Sequence, residues 1–493
     1  MLNKITPEAA GIPSEKIVDM LNAFKRKNYA MHSVLIAHRG NVCFEEYWKP
    51  YDKDSLHRIY SASKSFVSIA IGFLCDEGKI SLNDKVLKYF PEYKDSACDY
   101  LKEQTICDML KMSTSSLDRH WMGLGVKKRI EYYFTREQNR PSGTIYNYDS
   151  TGTYIMAVVV EKVSGKNFVE YLREKLFRKI GVSEELCCLK TPEGYPWADS
   201  GIRCTTEDFY RVAQFVCNGG SWNGEQLLSC EFVKSATKKQ AFNANDGYGG
   251  YNKYGYGYQF WITEQNGFSF NGMANQFAIC LPEKDFVFIC TADNQFNPTS
   301  AEIIYENVFE KIVNNLSDEA LPDNPAAYNE LKTICHDLKI PCVIGETQSD
   351  FQTDVNGIVY QLNENEMNIE SFQLKFFDNN EGCFEFTNNE GTHRLPFGIG
   401  KNVFCKFPKK SMPDEIGGEV LEGFSHQCAV SAAWVEEKKL FIKVQIIDKY
   451  LANLNITIGF NKNMVGLQMV ANAEFFLEEY CGFAGGKIKK DYC

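Results

Sequence analysis

The hydrophobic rhythm of the chain changes near position 345, and the change predicts two kinds of structure in one polypeptide. Before it, two periods are mixed. Ile17, Met20, Leu21 and Phe24 recur three and four apart, so residues 14–27 are expected to form a helix with one buried face. Residues 33–38 are an apolar run, Arg39-Gly40-Asn41 favours a turn, and residues 42–47 resume the apolar pattern, which together predict a hairpin. Residues 66–74 are apolar almost throughout and stop near Gly78, the signature of a buried helix.

Helices and loops are expected to dominate from 61 to about 228, with threonines placed to cap helices at 105–110 and 206–217. Strands are predicted at 258–262, 276–280 and 286–290, with a closing helix at 300–313. Strands at both ends with helices between them describe an α+β domain whose sheet joins its first and last segments. The Tyr- and Gly-rich stretch 247–258 reads as a surface loop leading into a strand. Pro322 and Pro325 mark 314–325 as a linker, followed by a short helix at 326–338. Beyond 345 the period is two. Phe372, Leu374 and Phe376 alternate with Gln373 and Lys375, residues 378–382 turn, and 383–386, 440–446 and 454–458 alternate again. That pattern predicts an all-β barrel or sandwich. The expected organisation is therefore a domain at 1–313, a linker with a short helix at 314–348, and an all-β domain at 349–493.

Composition narrows the function classes. The chain has 493 residues, 44% hydrophobic and 24% charged, with a formal net charge of −11. That balance, with no basic run, argues against a nucleic-acid partner. The first eight residues lack the apolar core of an export signal, and the longest apolar run is too short to span a bilayer. A cytoplasmic protein with no membrane partner is expected. The 18 cysteines are scattered without a C-x-x-C pair, and several, such as Cys75, Cys280 and Cys290, lie in apolar stretches. They read as reduced thiols. Neither Cys187-Cys188 nor His426 near Cys428 belongs to a four-ligand spacing, so no metal and no cofactor is expected.

The candidate chemistry lies just before the apolar helix, in Ser61-Ala62-Ser63-Lys64. Residues three apart share a helix face, so Lys64 projects beside Ser61. A serine hydroxyl needs a base to become a nucleophile, and a desolvated lysine is one. The bland alternative makes Ser61 a helix cap and Lys64 an exposed side chain. The same spacing recurs at Ser235-Ala236-Thr237-Lys238, in a polar stretch flanked by Lys234 and Lys239 where nothing would desolvate the amine.

Three elements in order carry a resemblance. They are Ser61-x-x-Lys64, a tyrosine within 143–152 (Gly-Thr-Ile-Tyr-Asn-Tyr-Asp-Ser-Thr-Gly), and the late glycine strand Phe270-Asn271-Gly272-Met273. Over about residues 8–313 the chain resembles the penicillin-recognising serine hydrolases: class C β-lactamases, D-alanyl-D-alanine peptidases, D-aminopeptidases, family VIII carboxylesterases and 6-aminohexanoate-dimer hydrolases. The resemblance implies a β-lactamase/transpeptidase-like fold with Ser61 as nucleophile and Lys64 as its proton partner. Tyr148 would be the tyrosine that relays a proton to the leaving group, with Tyr146 as its competitor. It also implies oxyanion donors at the backbone N–H groups of Ser61 and Met273, with Gly272, Asn271, Phe270 and Ser150 around the substrate. The region after 349 resembles the lipocalin-like domains appended to some of these hydrolases, which cap a cleft or build an oligomer.

Two positions depart from the family pattern. Ser150 stands where the Y-x-N element has asparagine, and Phe270 where the late strand has lysine or histidine. An aromatic makes no charge-assisted contact to a substrate carboxylate, which argues against β-lactams and peptidoglycan stems. The expectation is a serine hydrolase acting on a small ester or amide through an acyl-enzyme. An aminopeptidase or amide hydrolase, and a binding or sensor protein on the same fold, are the alternatives. No G-x-S-x-G elbow occurs to support a Ser-His-Asp hydrolase.

Overall fold

The structure is a computed structural model and describes residues 2–117, 128–244, 250–409, 411–413, 420–474 and 476–489. It divides into two compact units, 1–340 and 341–493.

The first unit is built on a six-stranded antiparallel sheet. Its strands are β1 (Met31–His38), β2 (Asn41–Tyr47), β3 (Trp261–Ile262), β4 (Phe268–Gly272), β5 (Gln276–Leu281) and β6 (Phe286–Ala292). The order is β2-β1-β6-β5-β4-β3. The two ends of the domain meet where β1 pairs with β6, with Val34 opposite Cys290 and Ile36 opposite Phe288. Every residue of β1, β5 and β6 is buried, which is why these segments read as continuous apolar runs.

Helix α1 (Ser14–Arg26) buries the predicted face of Ile17, Met20, Leu21 and Phe24. Helix α2 (Ser63–Asp76) is buried from Ser63 to Leu74 and packs against α3 (Ser150–Ser164). Helix α4 (Thr206–Cys217) lies against β5 and β6. It is capped by Thr205, one residue earlier than the pattern suggests, in a box with Asp208. The five-residue helix Ile106–Leu110 has the same device in Thr105 and Asp108. The proline-bearing segment after 314 contributes a helix to this unit: α5 (Pro325–His336) buries Ala327 and Leu331 and packs on α1.

The second unit is a closed barrel. Its strands are β7 (Val359–Leu362), β8 (Ser371–Phe377), β9 (Glu381–Asn388), β10 (Gly391–Ile399), β11 (Val403–Lys406), β12 (Gln427–Glu436), β13 (Lys439–Ile447), β14 (Leu451–Asn461), β15 (Met464–Asn472) and β16 (Gly482–Ile488). Nine of them close as β10-β9-β8-β7-β16-β15-β14-β13-β12 through a short parallel contact of Gly398 and Ile399 with Ser431 and Ala432. The tenth, β11, pairs on the flank of β12. Alternation places Phe372, Leu374 and Phe384 on the buried face, where Tyr360 stacks on Phe372 with ring centroids 5.4 Å apart. Closure leaves the ring itself without an open edge.

Candidate active site

Ser61 lies in a single tight turn, Tyr60–Ala62, that runs directly into α2. Tyr60 takes φ +48°, a left-handed conformation that strains a bulky residue by about 1–3 kcal/mol. The surroundings impose it. The Arg58 guanidinium lies 4.0 Å from the Tyr60 ring centroid and 4.1 Å from that of Trp197. Arg58 also donates to the carbonyl and the hydroxyl of Ser200, each at 2.9 Å. The Ile59 amide donates to the Ile202 carbonyl at 3.0 Å, and the Ile202 amide donates to Ser63 Oγ at 3.1 Å. Residues 197–202 therefore grip both sides of the turn that carries Ser61.

Lys64 is 1% exposed. Its Nζ donates to Ser61 Oγ at 3.0 Å and to the Asp199 carbonyl at 2.7 Å. The Tyr148 ring centroid lies 5.0 Å from the same nitrogen. The exposed-lysine alternative is excluded for Lys64. Asp199 is itself fixed: its carboxylate accepts from Arg129 Nη1 at 3.2 Å and Nη2 at 3.4 Å, with both side chains buried. Losing one member of such a pair strands a buried charge, at a cost of about 3–5 kcal/mol.

Tyr148 is half-buried against Trp261, stacked with centroids 5.6 Å apart, and meets Tyr256 edge-on. Tyr146 is also half-buried against Tyr256. The Tyr148 ring lies over Lys64. The next residue, Asp149, caps α3 by accepting from the Gly152 amide at 2.8 Å, and Thr114 Oγ1 donates to it at 2.7 Å. Ser150 is the first residue of that helix. The aromatic wall overturns the reading of 247–258 as a surface loop. Residues 247–249 lie outside the described residues, but Tyr256 and Tyr258 are buried. The strand predicted at 258–262 shrinks to Trp261–Ile262 because Gln259 takes φ +65° and its amide donates to the Met109 and Leu110 carbonyls.

Strand β4 brings Gly272 against the backbone just before Ser61. A Cβ on Gly272 would lie 2.1 Å from the Ile59 carbonyl oxygen, so only glycine permits this approach. Met273 follows in the turn, with its side chain 39% exposed. The other two strand residues point elsewhere. Asn271 accepts from Tyr305 Oη at 2.8 Å and donates to Asn252 at 2.9 Å, on the far side of the strand from Gly272. Phe270 is 0% exposed, edge-on to Phe66, Phe209 and Phe260. It fills the core beside α2 and offers no surface to a ligand, contrary to its expected place around the substrate.

Comparisons with known proteins give the family and the fold. The sequence profile described as Beta-lactamase matches residues 25–311, more than half of the chain. The chain belongs to the beta-lactamase family. A 6-aminohexanoate-dimer hydrolase from Paenarthrobacter ureafaciens is 28% identical over 215 residues, 40% of this chain and 55% of that protein. Penicillin-binding protein 4* of Bacillus subtilis is 22% identical over 171 residues, 31% of this chain and 37% of its own length. The chain thus spans about half, or less, of these two relatives. The structure of a candidate 6-aminohexanoate-dimer hydrolase from Bacillus anthracis superposes with a TM-score of 0.53 at 18% identity, covering 66% of this chain and 89% of its own. The hydrolase EstCE1, titled as having promiscuous acyltransferase activity, superposes with a TM-score of 0.51 at 13% identity, covering 60% of this chain and 99% of its own. Both show the fold.

Within this beta-lactamase frame, several supporting groups carry no sequence signal. Asp199 acts through its backbone carbonyl, and Arg129 and Arg58 work from outside any motif. Among the described residues no cluster of three His, Cys, Asp or Glu is placed to hold a metal ion. Among the described residues no helix is long and apolar enough to cross a membrane.

One buried pair lies behind the turn. His57 Nδ1 is 3.1 Å from the Arg58 carbonyl and so carries the proton, leaving Nε2 to accept from His32 Nδ1 at 2.6 Å. Burial pushes His57 down to about 4, helped by the charge of Arg203 and opposed by the bond to the Arg58 carbonyl.

Proposed function

We propose that this member of the beta-lactamase family is a serine hydrolase that cleaves a small, neutral ester or amide through an acyl-enzyme on Ser61. The observation that carries the reading is the buried Lys64 amine, 3.0 Å from Ser61 Oγ and oriented by the Asp199 carbonyl. In its neutral form the amine takes the hydroxyl proton as Ser61 attacks the carbonyl carbon. Tyr148, beside the same nitrogen, passes a proton to the leaving oxygen or nitrogen. The amides of Ser61 and Met273 are the proposed oxyanion donors, and the tight approach of Gly272 to Ile59 supports their proximity. Water then repeats the sequence to release the acid.

The preference for neutral acyl groups rests on the family pattern, whose late strand carries a lysine or histidine where this chain has Phe270, a side chain that supplies no cation. The named activity of the Paenarthrobacter relative, an amide-dimer hydrolase, supports keeping amides beside esters. The domain organisation proposed is a hydrolase body followed by the barrel, in a cytoplasmic protein without cofactor. The test compares short p-nitrophenyl esters and aminohexanoate-type amides with nitrocefin. Turnover of the neutral substrates with little or none of nitrocefin is expected. Efficient nitrocefin hydrolysis would overturn the substrate assignment.

A further inference from the structure

The barrel carries a feature that the hydrolase reading does not use. Cys405 on β11 and Cys428 on β12 face each other directly in antiparallel register, with Sγ atoms 3.5 Å apart. We propose that Cys405 and Cys428 form a reversible redox pair that a two-electron oxidant of the peroxide class closes to a disulfide.

Geometry carries the proposal. Residues directly opposite on antiparallel strands have Cα atoms about 4.5–5.5 Å apart, within the window of roughly 4.4–6.8 Å that a disulfide spans. The sulfurs need only approach through side-chain rotation, since the register already places the backbones correctly. Access is asymmetric in the way a nucleophilic and a resolving thiol require. Cys405 is half-buried with a route to solvent, whereas Cys428 is fully buried and also donates to the Cys405 carbonyl at 3.4 Å. The hydrogen bond from Cys428 lowers the Cys405 pKa, so the accessible sulfur is the better thiolate.

A second close pair supplies the contrast. Cys217 and Cys280 lie near each other in the first unit, but both are buried, and burial pushes Cys280 up. The Cys280 thiolate is disfavoured, and both sulfurs lie away from solvent. That pair is expected to stay reduced.

The chemistry balances. The Cys405 thiolate attacks one peroxide oxygen, the O–O bond breaks, and hydroxide leaves to take up a proton as water. The resulting sulfenic acid is attacked by the Cys428 sulfur, an S–S bond forms, and the sulfenic oxygen departs as a second water with the Cys428 proton. Peroxide is reduced by two electrons and the dithiol is oxidised by two. Strand β11 is held on the flank of β12 by its ladder, and the bond would fasten it covalently. A dithiol reverses the step by exchange.

The experiment treats the folded, reduced full chain with hydrogen peroxide, alkylates it under denaturing conditions, and maps the peptides. A cross-linked Cys405–Cys428 peptide, two hydrogens lighter than its reduced parts and lost on adding dithiothreitol, is expected. Cys217 and Cys280 should be fully alkylated. Cys405→Ser should leave Cys428 alkylated, and Cys428→Ser should leave Cys405 as an over-oxidised or trapped sulfenic species. Alkylation of both barrel thiols at a dose that oxidises the exposed Cys98, Cys230 and Cys481 would overturn the proposal. So would cross-linking of either thiol to a different cysteine.

Discussion

The serine–lysine spacing occurs twice in this chain, and the two copies differ in everything except spacing. Ser61 and Lys64 lie where a strained turn enters a buried helix, and the amine touches both the hydroxyl and a fixed carbonyl. Ser235 lies near the end of the helix Cys230–Ala236, and Lys238 lies beyond that helix, exposed. The Ser235 carbonyl accepts from the Gln240 side chain at 2.8 Å, an ordinary means of finishing a helix. A tetrapeptide pattern specifies which side chains share a face only while the helix continues through it. Reactivity comes from burial and from the neighbours that orient the amine.

The sharpest way to break the comparison is to remove the chemistry at each copy. Ser61→Ala and Lys64→Met should each lower ester turnover by on the order of 10⁴-fold or more, while Ser235→Ala and Lys238→Met change it less than about twofold. Steady-state rates on p-nitrophenyl acetate decide this. Equal losses at both copies would erase the distinction. Tyr148→Phe should cost about 10²–10⁴-fold in kcat, the usual range for a positioned proton donor, with circular dichroism unchanged. Tyr146→Phe should be nearly silent, and a reversal of the two would move the relay to Tyr146.

Stability sharpens the same point about surroundings. Phe270→Lys places a cation among Phe66, Phe209 and Phe260, and should destabilise the fold by on the order of 4 kcal/mol in urea titrations rather than create a carboxylate site. A variant of undiminished stability that gained nitrocefin turnover would show that the side chain faces the cleft. His57 gives a pH signature. It is held neutral in the folded chain until about pH 4, whereas the unfolded chain takes up the proton near 6.5. Stability should therefore fall as pH drops from about 6.5 to 4, by on the order of 3 kcal/mol from this group. His57→Gln should flatten that part of the profile, and an unchanged slope would refute the assignment. The smallest effect is expected at the exposed copy: Lys238→Ala should shift stability by no more than about 0.5 kcal/mol.

The periodic parts of this fold were legible from sequence because burial writes itself into spacing. The face of α1, the pairing of the first and last strands, and the alternation in the barrel strands all follow from which positions exclude water. The ordered motifs likewise pointed to Ser61, Lys64, Tyr148 and Gly272. What was not legible depends on contacts between distant segments. The Asp199 carbonyl is a backbone atom and leaves no residue signature. The direction of Phe270 depended on the pleat of β4, and the burial of Tyr256 on a turn forced by the left-handed Gln259. The helix α5, expected as part of a linker, is held by Ala327 and Leu331, two apolar residues too few to stand out.

The most direct test of the central claim needs no substitution. The unmodified protein would be treated with a fluorescent fluorophosphonate, digested, and mapped for the modified residue. The account predicts one adduct, on Ser61, and none on Ser235. An adduct on Ser235, or ester turnover by a protein whose Ser61 never labels, would contradict it.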